Sequence, residues 1–491
     1  MTKKSVHSKT VDLFAIAHDS MIEAGFVPDF PSSVVNEARS FVAERLPADK
    51  SVKDLRGLLW SSIDDEKTRD LDQVEYAEKL ADGDTRLLIG IADVDAFVRQ
   101  GSAIDQHAAE NCTSVYSGVR TFPMLPEELS TDLTSLVADE ERLVVVSEMV
   151  LAPDATVKQR DFYRAIVKNH AKLSYESIGA WLEGKTGVPD RVKSLPGLEA
   201  QLRVQHETAE CLAELRKRHG AINLETLQAK PVMDDHGRLV DLAVIESNEA
   251  RELIANFMIA ANVAMAEFLE DHGGPSLRRV VRTPKYWDRI VEIAEELEEK
   301  LPPDPDSRAL AEFLARRKQA DPVHFPDLSL AVVKALGPGE YAVQAPGAPS
   351  EGHFGLAVQD YAHSTAPNRR YADLITQRLL KAVLANKPPP YDVAELEQIA
   401  ERCTNRDSAA RKVERKMRKV AAALVLHDQI GNEFDAIVTG VTPKGTFARI
   451  LKPPVDGRVT RRGRGLRVGE KVRVRLLSTD PERGFIDFAR V

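Results

Sequence analysis

Apolar residues recur at helical spacing twice near the start of the chain, in VDLFAIAHDSMIEAG and SSVVNEARSFVAERL, with FVPDFP between them. They predict a small helix-turn-helix unit within residues 1–50, with Ser32 or Ser33 capping the second helix. Alternation takes over between 56 and 175, where TRLLIGIADV and RLVVVSEMVLA read as strands. From 198 to 300 the pattern is mainly helical, interrupted by a strand-turn-strand in KPVMDDHGRLVDLAVI. The longest apolar stretch, Leu253 to Leu269, carries two asparagines and a glutamate and reads as a buried helix. Helices return over 368–428, the last of them basic (AARKVERKMRKVAAALVLHD). Beyond 431 the chain turns to β-branched runs separated by glycines, which predicts a five-stranded OB barrel. The resulting division is 1–50, 51–428 and 429–491, in an α+β fold.

Composition adds little until it is split along the chain. At 491 residues, 43% hydrophobic and 29% charged, the protein is sized for two to four domains and is neither fibrous nor disordered. The start, MTKKSVHSKTVDLFAIAHDS, lacks the apolar stretch of a signal peptide. Cys112, Cys211 and Cys403 are few and far apart, which points to a reducing, cytoplasmic setting rather than a disulfide framework. The net charge of −9 conceals an asymmetry. Residues 401–491 hold 21 Lys and Arg against 11 Asp and Glu, so a basic tail follows an acidic body. That arrangement suits a polyanion-binding module attached to an enzyme that gathers cations.

The segment richest in chemistry is IDDEKTRDLDQ, Ile63 to Gln73. If Asp70-Leu71-Asp72 is extended, both carboxylates face one way and Leu71 the other. The intervening residues let Asp64 return towards them. Carboxylates converging at roughly 3–5 Å are stable only with cations between them. Magnesium fits, because it takes oxygen ligands and keeps waters that can attack phosphorus. By itself the loop leaves the chemistry open: acidic loops are commonly just solvated, and D-x-D pairs also serve nucleotide-sugar transferases.

The blocks around that loop narrow the reading. GIADVDAFV, GSAID, CTSVYSGVRTFPMLPEELSTDLTSL, AKLSYESI, FMIAANVAMAEFL and YAHSTAPNRRYADLITQRLL follow it in this order. On these blocks, over about residues 56–428, the chain resembles the RNase II (RNB) family, whose active site carries I-D-x5-D-x-D-D. The last segment resembles the RNA-binding domain of ribosomal protein S1. The resemblance implies an RNB catalytic domain, a mixed sheet with surrounding helices, followed by an S1-like OB barrel. It also implies a 3′-to-5′ exoribonuclease releasing nucleoside 5′-monophosphates from single-stranded RNA, with Mg²⁺ as cofactor and Mn²⁺ as a substitute. A monomer with no membrane and no obligate protein partner is expected.

Carried over residue by residue, the resemblance assigns the metal to Asp64, Asp70 and Asp72, with Asp72 the most critical for cleavage. Arg369 grips the scissile phosphate and Arg370 the adjacent one. Tyr116 stacks on a base near the 3′ end, Tyr175 contacts sugar or base, and Phe447 stacks RNA on the barrel beside Arg458, Arg461, Arg462, Arg464 and Arg467. His363 and Tyr371 are expected to be structural. The chain departs from the family pattern at several places. Gln73 stands where the family has a fourth aspartate, Ala255 and Asn256 replace a glutamate, and Pro231 replaces a clamping aromatic. No pair of N-terminal cold-shock barrels is expected either, since about 50 residues precede the catalytic region. These departures leave two readings: a slower, more metal-demanding nuclease, or a catalytically silent RNA-binding protein.

Overall fold

The computed structural model describes residues 11–41, 51–225, 229–234, 239–244, 247–322, 324–443 and 445–491. Its centre is a six-stranded mixed sheet made from β1 (Lys53–Asp54), β2 (Trp60–Asp64), β3 (Gln73–Lys79) and β4 (Thr85–Ala92), then, beyond a short hairpin of β5 (Val115–Tyr116) and β6 (Thr121–Phe122), β7 (Glu141–Leu151) and β8 (Val157–Ser174). The strand order is β1-β8-β2-β3-β4-β7, and the 18-residue β8 also pairs with β7. Its first part runs antiparallel to β7, and its end runs parallel to β1 and β2. The sheet therefore curls back on itself. The apolar runs LLIGIA and LVVV are buried because this curled sheet is covered on both faces.

Helices supply the cover. α1 (Leu13–Glu23) and α2 (Ser32–Ser40) come first, and α3 (Ala103–Asn111) interrupts the region read as strands, with Ser102 as its N-cap. α4 (Tyr175–Leu182), α5 (Asp190–Lys193) and α6 (Leu198–Arg218) follow the sheet. α7 (Glu249–Asp271) is long and apolar enough to span a membrane, yet Leu253, Phe257, Ala261, Ala264 and Leu269 are buried in the main core. The buried-helix reading of this stretch holds. β9 (Ala229–Met233) and β10 (Leu239–Val244) form the expected hairpin, whose turn lies outside the described residues.

Two expectations change. The first two helices have no core of their own: Val34 and Ala38 belong to the main core, and Leu13, Ala17 and Met21 pack on Ala410, Val413 and Met417. Their apolar faces are too small to bury each other, so the large body covers them. The second helix ends at Ser40, and residues 42–50 of the expected pattern lie outside the described residues. Two helices also appear beyond the expected helical stretch 198–300, and they cluster with one inside it. α8 (Trp287–Glu296), α9 (Ser307–Ala320) and α10 (Phe325–Leu336), flanked by the paired strands β11 (Ser276–Val280) and β12 (Glu340–Gln344), share a separate core around Ile290, Leu310 and Phe313. Prolines in LPPDPD and DPVHFP mask the helical period there.

α11 (Tyr371–Leu384) and the 33-residue α12 (Val393–Val425) carry the chain to the last domain. A capping box at Asp392 and Glu395 starts α12. Its final turns enter a closed five-stranded barrel, where Ala421, Ala423 and Leu426 share a core with Val438, Val474 and Phe488. The barrel, ordered β13-β14-β15-β17-β16, comprises β13 (Glu433–Thr442), β14 (Gly445–Ile450), β15 (Val455–Arg461), β16 (Lys471–Asp480) and β17 (Phe485–Arg490). This is the five-stranded barrel expected from the glycine-punctuated strands.

Trp60 anchors β2 beneath the acidic loop. Its side chain is fully buried, and its indole N–H donates to the Leu55 carbonyl at 2.9 Å. Trp60→Ala is expected to lower the stability of the protein by about 3–5 kcal/mol, measured by urea denaturation.

Candidate active site

Backbone groups of Leu71 and Asp72 anchor the acidic loop to the core. Leu71 is buried in the main core, its N–H donates to Ser135 Oγ at 3.0 Å, and its carbonyl accepts from Leu136 N–H at 3.0 Å. Asp72 O accepts from Ala92 N–H at 2.9 Å. With Leu71 fixed inward, Asp70 and Asp72 turn the other way, as the extended dipeptide requires. Asp64 sits at the end of β2, where its Oδ1 accepts from the Asp65 N–H at 2.6 Å and the Thr68 hydroxyl at 2.9 Å.

A second pair of segments meets this loop from the far end of the chain. Ser114 N–H donates to the Arg369 carbonyl at 3.0 Å, Thr113 bridges Arg370, and Tyr371 N–H donates to the Cys112 carbonyl at 2.8 Å. This strap brings Tyr116 beside Arg369. Arg369 Nε donates to Asp72 Oδ2 at 3.0 Å, and Asn368 N–H donates to Asp72 Oδ1 at 3.1 Å. The Tyr116 hydroxyl donates to Asp70 Oδ2 at 2.6 Å. Asp64, Asp70, Asp72, Gln73, Tyr116, Tyr175 and Arg369 all line one cavity of about 360 Å³.

Electrostatics at the cavity follow from burial. Asp72 is 2% exposed, and loss of water pushes its carboxyl up to about 7, with Arg369 opposing the rise and Asp70 adding to it. Burial also raises Asp64, against the hydrogen bonds from Asp65 and Thr68. Burial disfavours the Arg369 cation, but the Asp72 carboxylate more than offsets this, so the guanidinium stays charged. Behind the cavity, Glu75 is fully buried with both carboxylate oxygens unpartnered, and burial followed by Asp64 pushes it strongly towards the protonated form.

A family model described as the RNB domain matches residues 52–386, and one for the RNase II-type exonuclease C-terminal S1 domain matches 432–491. The chain belongs to the RNB family. Among relatives of this family, Ribonuclease R of Aquifex aeolicus is 30% identical over 99% of this chain and 73% of its own. Ribonuclease R of Vibrio parahaemolyticus is 31% identical over 85% of this chain and 51% of its own. This chain thus spans between about half and three quarters of the length of these two curated relatives. Mycoplasma genitalium RNase R, solved with ribose-methylated single-stranded RNA, superposes with a TM-score of 0.87 at 24% identity, covering 98% of this chain and 78% of its own. RNB nucleases in general depend on divalent metals.

Outside the cavity, the remaining expected residues divide between those found where expected and Arg370, which is not. Arg370 is not in the cavity: its Nη2 donates to Asp373 Oδ1 at 2.7 Å, and that buried pair holds the start of α11. Its place beside Arg369 in the sequence does not bring it to the cavity wall. Phe447 is half-buried on β14, opposite Gly440 and Arg458, outside the cavity. The arginines Arg458, Arg461, Arg462, Arg464 and Arg467 are exposed on the same barrel. His363 is buried and kept neutral by burial and by Arg370, and Tyr371 donates to Asp105 at 3.2 Å, so both are structural. Of the two residues replacing the glutamate, only Ala255 faces the cavity, while Asn256 is tied to Arg216 and Glu252. Pro231 packs beside Gly118, in the turn after Tyr116.

The expected tight triangle of carboxylates also needs correcting. Among the described residues, the trio whose ligand atoms all lie within 4.8 Å of one another is His206, Glu210 and Glu249, in a separate cleft between α6 and α7. Asp64, Asp70 and Asp72 line their cavity without forming such a trio, and Tyr116 and Arg369 bond Asp70 and Asp72 there. Their hard oxygen donors, facing one cavity, would suit a divalent ion such as magnesium.

Pattern reading missed Asn368, whose N–H caps Asp72, and Arg251, which enters the cavity from α7. The signal for Arg251 was present in the 251, 254, 255, 258 spacing of α7, all four of which line the cavity.

A divalent ion at Asp72 must displace its proton. Its folded value of about 7 exceeds the ordinary 3.8, so the metal-free fold holds a proton that the unfolded chain releases between those limits. Stability of the metal-free protein is therefore expected to fall as pH rises through that window, and Mg²⁺ affinity to climb until about pH 7. Calorimetry in buffers of different ionisation enthalpy should record proton release on Mg²⁺ binding at pH 6 that Asp72→Asn abolishes.

Proposed function

We propose that this chain hydrolyses single-stranded RNA from its 3′ end and releases nucleoside 5′-monophosphates. The observation that carries this is the single cavity in which three aspartates from one loop meet Arg369 and Tyr116 from segments far away in sequence. Names of the relatives support RNA as substrate: one is an RNase R solved with single-stranded RNA. Divalent ions held by Asp64, Asp70 and Asp72 would supply a nucleophilic water and a counter-charge for the leaving 3′ oxygen.

The chain's own residues do the rest. Arg369 spends its Nε on Asp72 and leaves Nη1 and Nη2 without partners among the described residues, aimed for the oxygens of a phosphodiester. Asn368 and Arg369 together fix both oxygens of Asp72, so that carboxylate cannot rotate away from the phosphate. Tyr116, at the cavity wall and 40% exposed, presents its ring to a base. Such a stack holds any sequence, at about 1–3 kcal/mol per base. The exposed arginines of the barrel attract the phosphate backbone and bring the strand to the catalytic body.

Gln73 and Ala255 favour one other reading, a silent RNA-binding protein on the same scaffold. Incubating 5′-labelled RNA and DNA with Mg²⁺ or Mn²⁺, with and without chelator, separates the two. Metal-dependent shortening of RNA alone is expected; RNA left intact at every metal concentration would establish the silent reading. Asp72→Asn should keep RNA affinity and slow cleavage by about 10²–10³, as removal of one charge-stabilising group does. Gln73→Asp should lower the Mg²⁺ concentration for half-maximal rate by about tenfold, read from a metal titration.

A further inference from the structure

The RNB cavity contains a second guanidinium that none of the preceding roles uses. Arg251 lines it from the first turns of α7, together with Ile254, Ala255 and Met258. On this helix face it is the one charged side chain among the described residues, and Ala255 beside it carries no carboxylate to repel an anion. Arg251 is separated in contact from Arg369: it stacks 4.3 Å over the Tyr175 ring, and its Nη2 donates to Asp65 Oδ1 at 2.6 Å and Glu176 Oε1 at 2.9 Å. Both hydrogen bonds leave from Nη2. Nε and Nη1 have no partner among the described residues. The Glu176 side chain is 64% exposed, so that ion pair is weak and readily exchanged for a better anion.

A guanidinium with free N–H groups, stacked on an aromatic ring at the wall of a nucleotide-sized cavity, is a receptor for a phosphate. Arg369 with the aspartates addresses the phosphodiester to be broken. Arg251 lines the same cavity from another helix, which leaves it for a second phosphate. We infer that Arg251 makes the site favour RNA strands that end in a 3′-phosphate. This rests on the exoribonuclease reading above.

The balance of the first turnover then differs from all later ones. Water oxygen bonds to the phosphorus of the last phosphodiester, and the bond from phosphorus to the 3′ oxygen of the penultimate nucleotide breaks. That oxygen takes a proton. The terminal residue leaves as a nucleoside 3′,5′-bisphosphate, and the shortened strand ends in a hydroxyl. Later cycles release ordinary 5′-monophosphates, so the preference acts only on initiation.

The test uses 5′-fluorescent single-stranded RNA of one sequence, ending in 3′-phosphate or 3′-hydroxyl, and the full chain. Binding is measured by anisotropy with Ca²⁺ in place of Mg²⁺, and first-turnover kcat/KM with Mg²⁺. The phosphate end should bind about tenfold tighter, and the ratio should vanish in Arg251→Gln and survive in part in Arg251→Lys. The first product from the phosphate strand should be a bisphosphate by mass. Equal binding of both ends by the unaltered protein overturns the inference. So does a folded Arg251→Gln, judged by circular dichroism, that weakens both ends equally, since that marks Arg251 as a pin for the Asp65 loop. If Arg251→Gln misfolds, Arg251→Lys decides: a ratio unchanged from that of the unaltered protein overturns the inference, and a reduced one upholds it. End preference without cleavage in Mg²⁺ or Mn²⁺ would sink the nuclease reading alone, and cleavage without end preference would sink this one alone.

Discussion

The site depends on one contact, the 3.0 Å pair between Asp72 and Arg369. Asp72 is almost fully buried, and a buried carboxylate is tolerated only when something compensates its lost hydration. Arg369 compensates one oxygen and the Asn368 N–H the other. The same pair locates the arginine against the acidic loop, and the strap from Cys112 to Tyr116 holds the arginine's backbone. A single ion pair therefore welds three distant segments into one cavity. Its partial frustration matters too. Asp72 still sits near neutrality in its proton affinity, which leaves room for a divalent ion to replace the proton at working pH.

Rigidity comes from the layer below. Trp60, Ile63, Leu71 and Val74 are buried around the ends of β2 and β3, so the loop between them is tied at both ends to packed core. α7 covers this layer and also supplies one wall of the cavity. Its apolar side stabilises the fold while Arg251, Ala255 and Met258 face the cavity. Core and site therefore share elements, and changes on α7 alter both.

Charge is rearranged relative to the family pattern rather than simply lost. Gln73 removes a negative group from the cavity wall, and the Ala255 position removes another. Glu75 adds a carboxyl two residues beyond Gln73, but it lies buried and is driven to its neutral form. Arg251 contributes a cation to the same cavity, held by Asp65 and Glu176. The cavity is consequently less negative than four aspartates and a glutamate would make it.

The sequence by itself determined the family, the barrel, the buried character of α7 and the loop carrying Asp64, Asp70 and Asp72. These are local patterns: period, turn residues and short ordered motifs, each legible without knowing what lies opposite. Tertiary structure alone decided that Arg370 serves Asp373, that α1 and α2 pack on α12 and the main core, and that Asn368 and Arg251 reach the site. Two adjacent arginines look alike in a motif, and only the direction in which each guanidinium leaves the chain puts Arg369 at the cavity and Arg370 on Asp373. The partners of these carboxylates were equally invisible, because Tyr116 and Arg369 arrive from segments far away in sequence.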